Sequence, residues 1–268
     1  MEKLEIPEFD TKKELFSFLK ENKSTLYAQK KQIIKRADGF GFAPIGGADK
    51  AMVGKAGAES NTLLVKAIIN TTNWMDSHKD VHIDGLWDKS LSENKMILHV
   101  QEHQSHSFDK IIASGADLKA YTKTYSWKEL GYDFDGSTQA LEFESNVRKS
   151  RNAYMFDQYK SGYVNNHSVG MQYMKLAMAI NSDDYPEEKE VWEKYIDRIA
   201  NKDQAEQTGY FWAVREAKAI EGSAVPLGSN VITPTLSVGK DFEPSDDTQK
   251  AAAAKALRNK QFFINLNS

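Results

Sequence analysis

Cysteine is absent from the 268 residues, which removes disulfides, thiolate metal ligands and cysteine nucleophiles together. A reducing cytoplasm suits such a chain. Excess charge of one sign is missing too, since 35 basic and 38 acidic side chains leave a net charge of −3. No broad positive field therefore draws the chain to nucleic acid. Long apolar runs are also lacking. The stretch Leu63 to Ile69 falls far short of the roughly 20 residues that cross a bilayer, and the acidic start MEKLEIPEFD has no apolar signal region. The expectation is a soluble intracellular protein without nucleic-acid or membrane partners, long enough for one large or two small domains.

What is present falls into three parts: 1–61, 62–240 and 241–268. Thr11 to Glu14 has capping-box spacing, and Leu15, Phe16, Phe18 and Leu19 follow as an apolar cluster, so a short helix is predicted there. The stretch 37–61 is rich in Gly and Ala and reads as a flexible linker or arm. A phosphate loop is the functional alternative, but the Gly-Lys-Ser/Thr ending it needs is missing. The tail holds an acidic turn and then an Ala/Lys helix.

The middle part carries the core. LLVKAIIN, MILHV and KIIASGADLKAYTKTY read as strands, with an Asp84–Gly85 turn in DVHIDGLWDKSL. Residues 144–160 read as a helix stopped by a Ser-Gly pair, and 163–174 as an aromatic and β-branched strand. The periodicity of Val191, Trp192, Tyr195, Ile196 and Ile199 predicts one helix over 186–201. GYFWAVREAKAI is a further apolar stretch, and GSAVPLGSNVITPTLSV has the punctuation of loops and short strands. Strands precede helices without regular alternation, so the expected class is α+β, with an antiparallel sheet or barrel surrounded by helices.

Reactive side chains concentrate in LHVQEHQSH, in NHSVGM and in AIEGSAV. His99 and His103 are four apart and would share one ion on a helix, but the flanking sequence reads as a strand end. HVQEH also lacks the order of HExxH, so a metal-dependent hydrolase on His99, His103 and His106 is an alternative only. Solvent-facing histidines at a strand end are the plainer reading. Ser168 fails the GxSxG pattern, because Asn166 stands where the first glycine belongs. His167 adjoins it, yet successive strand side chains point to opposite faces. A base for Ser168 must come from elsewhere, and histidine suits the task. These arguments permit a partner in 99–106 without choosing one.

Three segments in order resemble the caudoviral prohead, or capsid maturation, proteases, whose fold is similar to the herpesvirus assemblins. They are LHVQEH ending at His103, Ser168-Val169-Gly170-Met171, and Glu221-Gly222-Ser223-Ala224-Val225. NTTNWMDSHKDVHIDGLWDKSL resembles the family's opening, and the likeness spans Leu63 to Val238. It implies an assemblin-like antiparallel β-barrel core surrounded by helices, with 62–240 as a serine protease domain. Ser168 would be the nucleophile, His103 the base (His106 and His99 its rivals) and Glu221 the acid that orients the imidazole. Gly170 is expected to let another backbone approach the site.

No cofactor or metal is implied. Substrates would be internal scaffold segments and the N-terminal arms of the major capsid protein, inside the assembling procapsid in the host cytoplasm. Self-cleavage in 37–61 or in the tail, and a homodimer, are compatible with the likeness. A non-enzymatic capsid component keeping the fold is the other alternative. The chain departs from the family by about 60 extra residues before the core, a helix between the Ser168 strand and Glu221, and a stretched spacing after the histidine.

Overall fold

A computed structural model describes residues 4–32, 52–53, 60–94 and 96–239. The predicted capping box is present. The Thr11 hydroxyl accepts the Glu14 N–H at 3.3 Å while the Glu14 carboxylate accepts the Thr11 N–H at 3.2 Å, opening helix α1 (Lys12–Glu21). A second helix, α2 (Lys23–Gln32), follows directly. Phe16, Leu19 and Leu26 join the main hydrophobic cluster, so both helices pack on the core. The Gly/Ala arm over 37–61, with its phosphate-loop alternative, lies outside the described residues except at 52–53 and 60–61. The tail helix over 241–268 lies wholly outside them.

After the two-residue strand β1 (Met52–Val53) come β2 (Thr62–Asn70) and β3 (Asp80–His82). Gly85 makes the foreseen turn at φ 84° and leads into α3 (Asp88–Glu93). Strands β4 (Leu98–Gln101), β5 (Ile111–Ser114) and β6 (Leu118–Ser126) match the predicted second to fourth strands. The helix read over 144–160 is half wrong. β7 (Ser137–Arg148) is a twelve-residue strand, and α4 (Ala153–Lys160) begins only after Asn152 caps the Met155 N–H at 2.9 Å. Ladders from β2 on one side and β6 on the other hold β7 extended, which overrides its polar, helix-tolerant sequence.

Strand β8 (His167–Ile180) starts later and runs further than expected. The predicted helix over 186–201 splits into α5 (Pro186–Tyr195) and a 3₁₀ turn (Ile196–Arg198), with α6 (Lys202–Thr208) beyond it. Its apolar face was read correctly, since Trp192, Tyr195, Ile196 and Ile199 are buried together. Strand β9 (Tyr210–Ala224) absorbs the Glu221 segment, and β10 (Thr235–Gly239) closes the described chain.

The expected closed antiparallel barrel is not formed. Among the described residues there are two open five-stranded sheets, one ordered β1-β10-β2-β7-β6 and the other built on β9. β9 pairs antiparallel with β8 along nearly its whole length. Its other edge takes β3 at Trp212–Val214 and β4 at Glu221–Ala224, both parallel. These parallel neighbours leave β5 and β8 as separate edges, while β1 and β6 end the first sheet, so no ladder returns to its start. The sheets pack on each other, with Leu63, Val65, Ile69 and Phe143 from one against Val169, Met171, Ala217 and Ala219 from the other. No helix among the described residues is long and apolar enough to cross a membrane.

Candidate active site

β4 runs parallel to the end of β9 and stops at Gln101. A tight turn follows in which Gln104 N–H returns to Gln101 O at 3.0 Å. Both central residues, Glu102 at φ 49° and His103 at φ 58°, are left-handed without being glycine. That is the backbone of a type I′ turn, which Asn and Gly normally supply. The turn folds His103 back over β9. Its N–H donates to the Ser223 hydroxyl at 3.0 Å, and its Nδ1 meets Glu221 Oε1 at 2.6 Å. A carboxylate only accepts, so Nδ1 carries a proton, and in the neutral ring this leaves the lone pair on Nε2.

The β8–β9 register places the serine. Ser168 lies opposite Ser223 and Gly170 opposite Glu221. Directly opposed residues project to the same face, as do residues two apart on one strand. Ser168, Ser223 and Glu221 thus share a face, and His103 is bonded to two of them. Ser168, His103 and Glu221 are each less than 10% exposed. The hydrogen bonds of this cluster run between His103, Glu221 and Ser223; none among the described residues includes the Ser168 hydroxyl.

Gly170 makes room for a side chain. The three atoms nearest to a Cβ built there all belong to the Glu221 side chain. A Cβ there would stand 2.1 Å from Glu221 Oε1, so the glycine leaves room for the carboxylate that holds His103. Gly222 does the matching work on the other face, where a Cβ would meet Phe143 at 2.4 Å.

His99, one rival for the base, faces the other way. It is opposite Gly222 rather than Glu221 or Ser223 and enters a buried chain between the sheets. Ser145 Oγ lies 2.8 Å from its Nδ1 and the Tyr159 hydroxyl 3.1 Å from its Nε2. Tyr159 reaches His167 Nε2 at 2.9 Å, and His167 Nδ1 reaches the Thr233 carbonyl at 3.0 Å. Only one proton order satisfies every atom. His167 Nδ1–H donates to Thr233, Tyr159 donates to His167, His99 Nε2–H donates to Tyr159, and Ser145 donates to His99. Burial holds the His99 pKa well below its usual value, with the neighbouring His167 adding to this, and burial takes His167 down to about 4. Both are neutral core histidines.

His167 therefore does look away from Ser168, as strand alternation requires. His106 is exposed on the loop beyond the turn. The three histidines considered as a metal trio do not converge, because His99 and His103 lie on opposite faces of the sheet. Among the described residues no cluster of three metal-binding side chains occurs.

Two features escaped the sequence. Ser223 stood inside the third motif but had no assigned role; its i, i+2 spacing from Glu221 was the available signal. The other is a buried network in which Tyr173 donates to Asp80 at 2.8 Å and lies 3.1 Å from His82 Nε2, with Asn70 on the far side of that ring. Burial, with Asp80 nearby, pushes the Tyr173 hydroxyl well above its usual pKa. Ser168 borders this network across a cavity of about 20 Å³. An open pocket of about 150 Å³ lies beside the His103 turn, lined in part by Gln101, Glu102, Tyr154, Tyr163, Val225 and Pro226. No known family, curated protein or solved structure matches the chain.

Proposed function

We propose that the chain is a serine endopeptidase. Ser168 attacks a peptide carbonyl, and His103 Nε2 takes the hydroxyl proton. Glu221 fixes the imidazole tautomer and stabilises the imidazolium that forms. The same proton then passes to the departing amine, and water, deprotonated by His103, releases the acyl group from Ser168. The observation that carries the reading is the 2.6 Å bond from His103 Nδ1 to Glu221, on the face that β8 gives to Ser168. A base already bonded to its orienting acid is two of the three members of a triad. The pocket beside the turn offers room for a substrate side chain.

The substrate class follows from the order of the three motifs, which resembles the prohead proteases. The likeness rests on those motifs and the opening segment 70–91, not on a shared barrel. Scaffold segments and the N-terminal arms of a major capsid protein are the proposed substrates, with trimming of the chain itself alongside.

The test is co-expression of the cognate capsid protein with wild type or Ser168→Ala. Wild type is expected to cut it, and the variant to be slower by at least about 10³-fold, with EDTA having no effect on wild type. Equal cutting by both would sink the reading, and chelator-sensitive cutting that survives Ser168→Ala would replace it with metal-dependent hydrolysis. An intact capsid protein with both would leave a non-enzymatic head component.

A further inference from the structure

Ser223 neither attacks nor carries a proton in that scheme, yet it touches both halves of the His103–Glu221 pair. It is fully buried. Its hydroxyl donates to Glu221 Oε2 at 2.6 Å and accepts the His103 N–H at 3.0 Å. The other carboxylate oxygen holds the His103 ring. A closed circuit results, running from the His103 backbone through Ser223 and Glu221 to the His103 imidazole. One hydroxyl can make both bonds at once, because it has a single donor and two acceptor lone pairs.

The circuit meets two physical demands. Glu221 is 2% exposed, and a buried carboxylate is costly unless its oxygens find donors. His103 gives one and Ser223 the other. The turn that delivers His103 has two successive non-glycine residues at positive φ, a conformation that persists only where surroundings hold it. Glu102 N–H is held by the Ala224 carbonyl and His103 N–H by Ser223. Alternation along β9 also explains the Glu-Gly-Ser order. The two polar residues share the site face, and Gly222 between them faces the Phe143 ring, where a side chain would not fit.

We infer that Ser223 is a positioning residue, fixing the carboxylate of Glu221 and the left-handed turn of His103 so that the imidazole stands over the face carrying Ser168. The geometry stands by itself; only its consequence for rate rests on the serine peptidase reading.

The experiment uses the full chain and two readouts on folded protein, checked by circular dichroism. One is the rate of covalent labelling by a fluorophosphonate probe. The other is the downfield proton resonance of the His103 Nδ1–H···Glu221 bond, assigned by its loss in Glu221→Gln. Ser223→Ala is expected to slow labelling by about ten- to a hundredfold, the range typical of partners that orient a functional side chain from behind, and to abolish the resonance. Ser223→Thr, which keeps the hydroxyl, is expected to restore both in part.

Labelling within about twofold of wild type in Ser223→Ala, together with an intact resonance, would overturn the inference; twofold is under 0.5 kcal/mol. Should wild type not label at all, the peptidase reading fails. The inference is then decided by the resonance, whose survival in Ser223→Ala refutes it and whose loss supports it. If the alanine variant does not fold, Ser223→Cys, a weaker donor of similar size, takes its place with the same criteria.

Discussion

Glycine 170 shows how much a single missing carbon decides. The Glu221 carboxylate occupies the space that a side chain on β8 would fill, at 2.1 Å from the position of the absent Cβ. No rotamer of alanine avoids that overlap. Gly170→Ala must therefore move the carboxylate, and the His103 bond with it, or push β8 away from β9. Overpacking of this kind costs about 1–3 kcal/mol of stability. The variant is expected to fold with an unfolding midpoint lowered accordingly and to lose Ser168 labelling by about 10²-fold or more, as for removal of a group that stabilises a transition state. Labelling at the wild-type rate would show that Glu221 does not orient the base.

Among the elements, α2 shows how the N-terminal helices are tied to the sheet. Its Lys30 reaches Asp80, whose side chain has no solvent exposure, and the same ammonium lies 5.5 Å from the centre of the Trp212 ring. Tyr173 of β8 donates to the second Asp80 oxygen, so one buried carboxylate joins α2, β3 and β8. A charge buried with a partner becomes costly when the partner is deleted. Lys30→Met is expected to destabilise the fold by about 3 kcal/mol, measured by urea unfolding, and adding Asp80→Asn should recover part of that loss. If the two effects simply sum, the ion pair contributes no coupling.

At the scale of the molecule, the two sheets enclose the Ser145–His99–Tyr159–His167–Thr233 chain. Both histidines are neutral when folded, with His167 near 4 and His99 also depressed, whereas in the unfolded chain they titrate near 6.5. Below that pH the unfolded state binds more protons, so stability falls as pH falls. The loss begins near pH 6.5 and for His167 continues to about pH 4, approaching about 1 kcal/mol per pH unit for each histidine. Urea midpoints between pH 7.5 and 5 are expected to decline, and the double variant His99→Gln, His167→Gln to decline less. Equal slopes would mean that the buried histidines are not responsible.

Much of this arrangement could be read from residue order. The capping box, the Asp84–Gly85 turn, the strand runs and the apolar face over 191–199 are local patterns whose cause lies within a few residues. Ser168, His103 and Glu221 were singled out by motif, and the structure brings His103 and Glu221 into contact on the face of Ser168. Three things were not legible. β7 is extended because β2 and β6 flank it, a cause far away in the chain. The barrel was expected from strands that precede helices without regular alternation and from the family likeness, whereas β9 takes two parallel neighbours from distant segments. His103 was not separable from His99, because a turn of Glu and His carries no Asn or Gly to announce positive φ. Residue order determined which side chains could react and where local elements begin. Tertiary pairing decided which faces they share, because strand register and a strained turn depend on partners about 55 to 120 positions away.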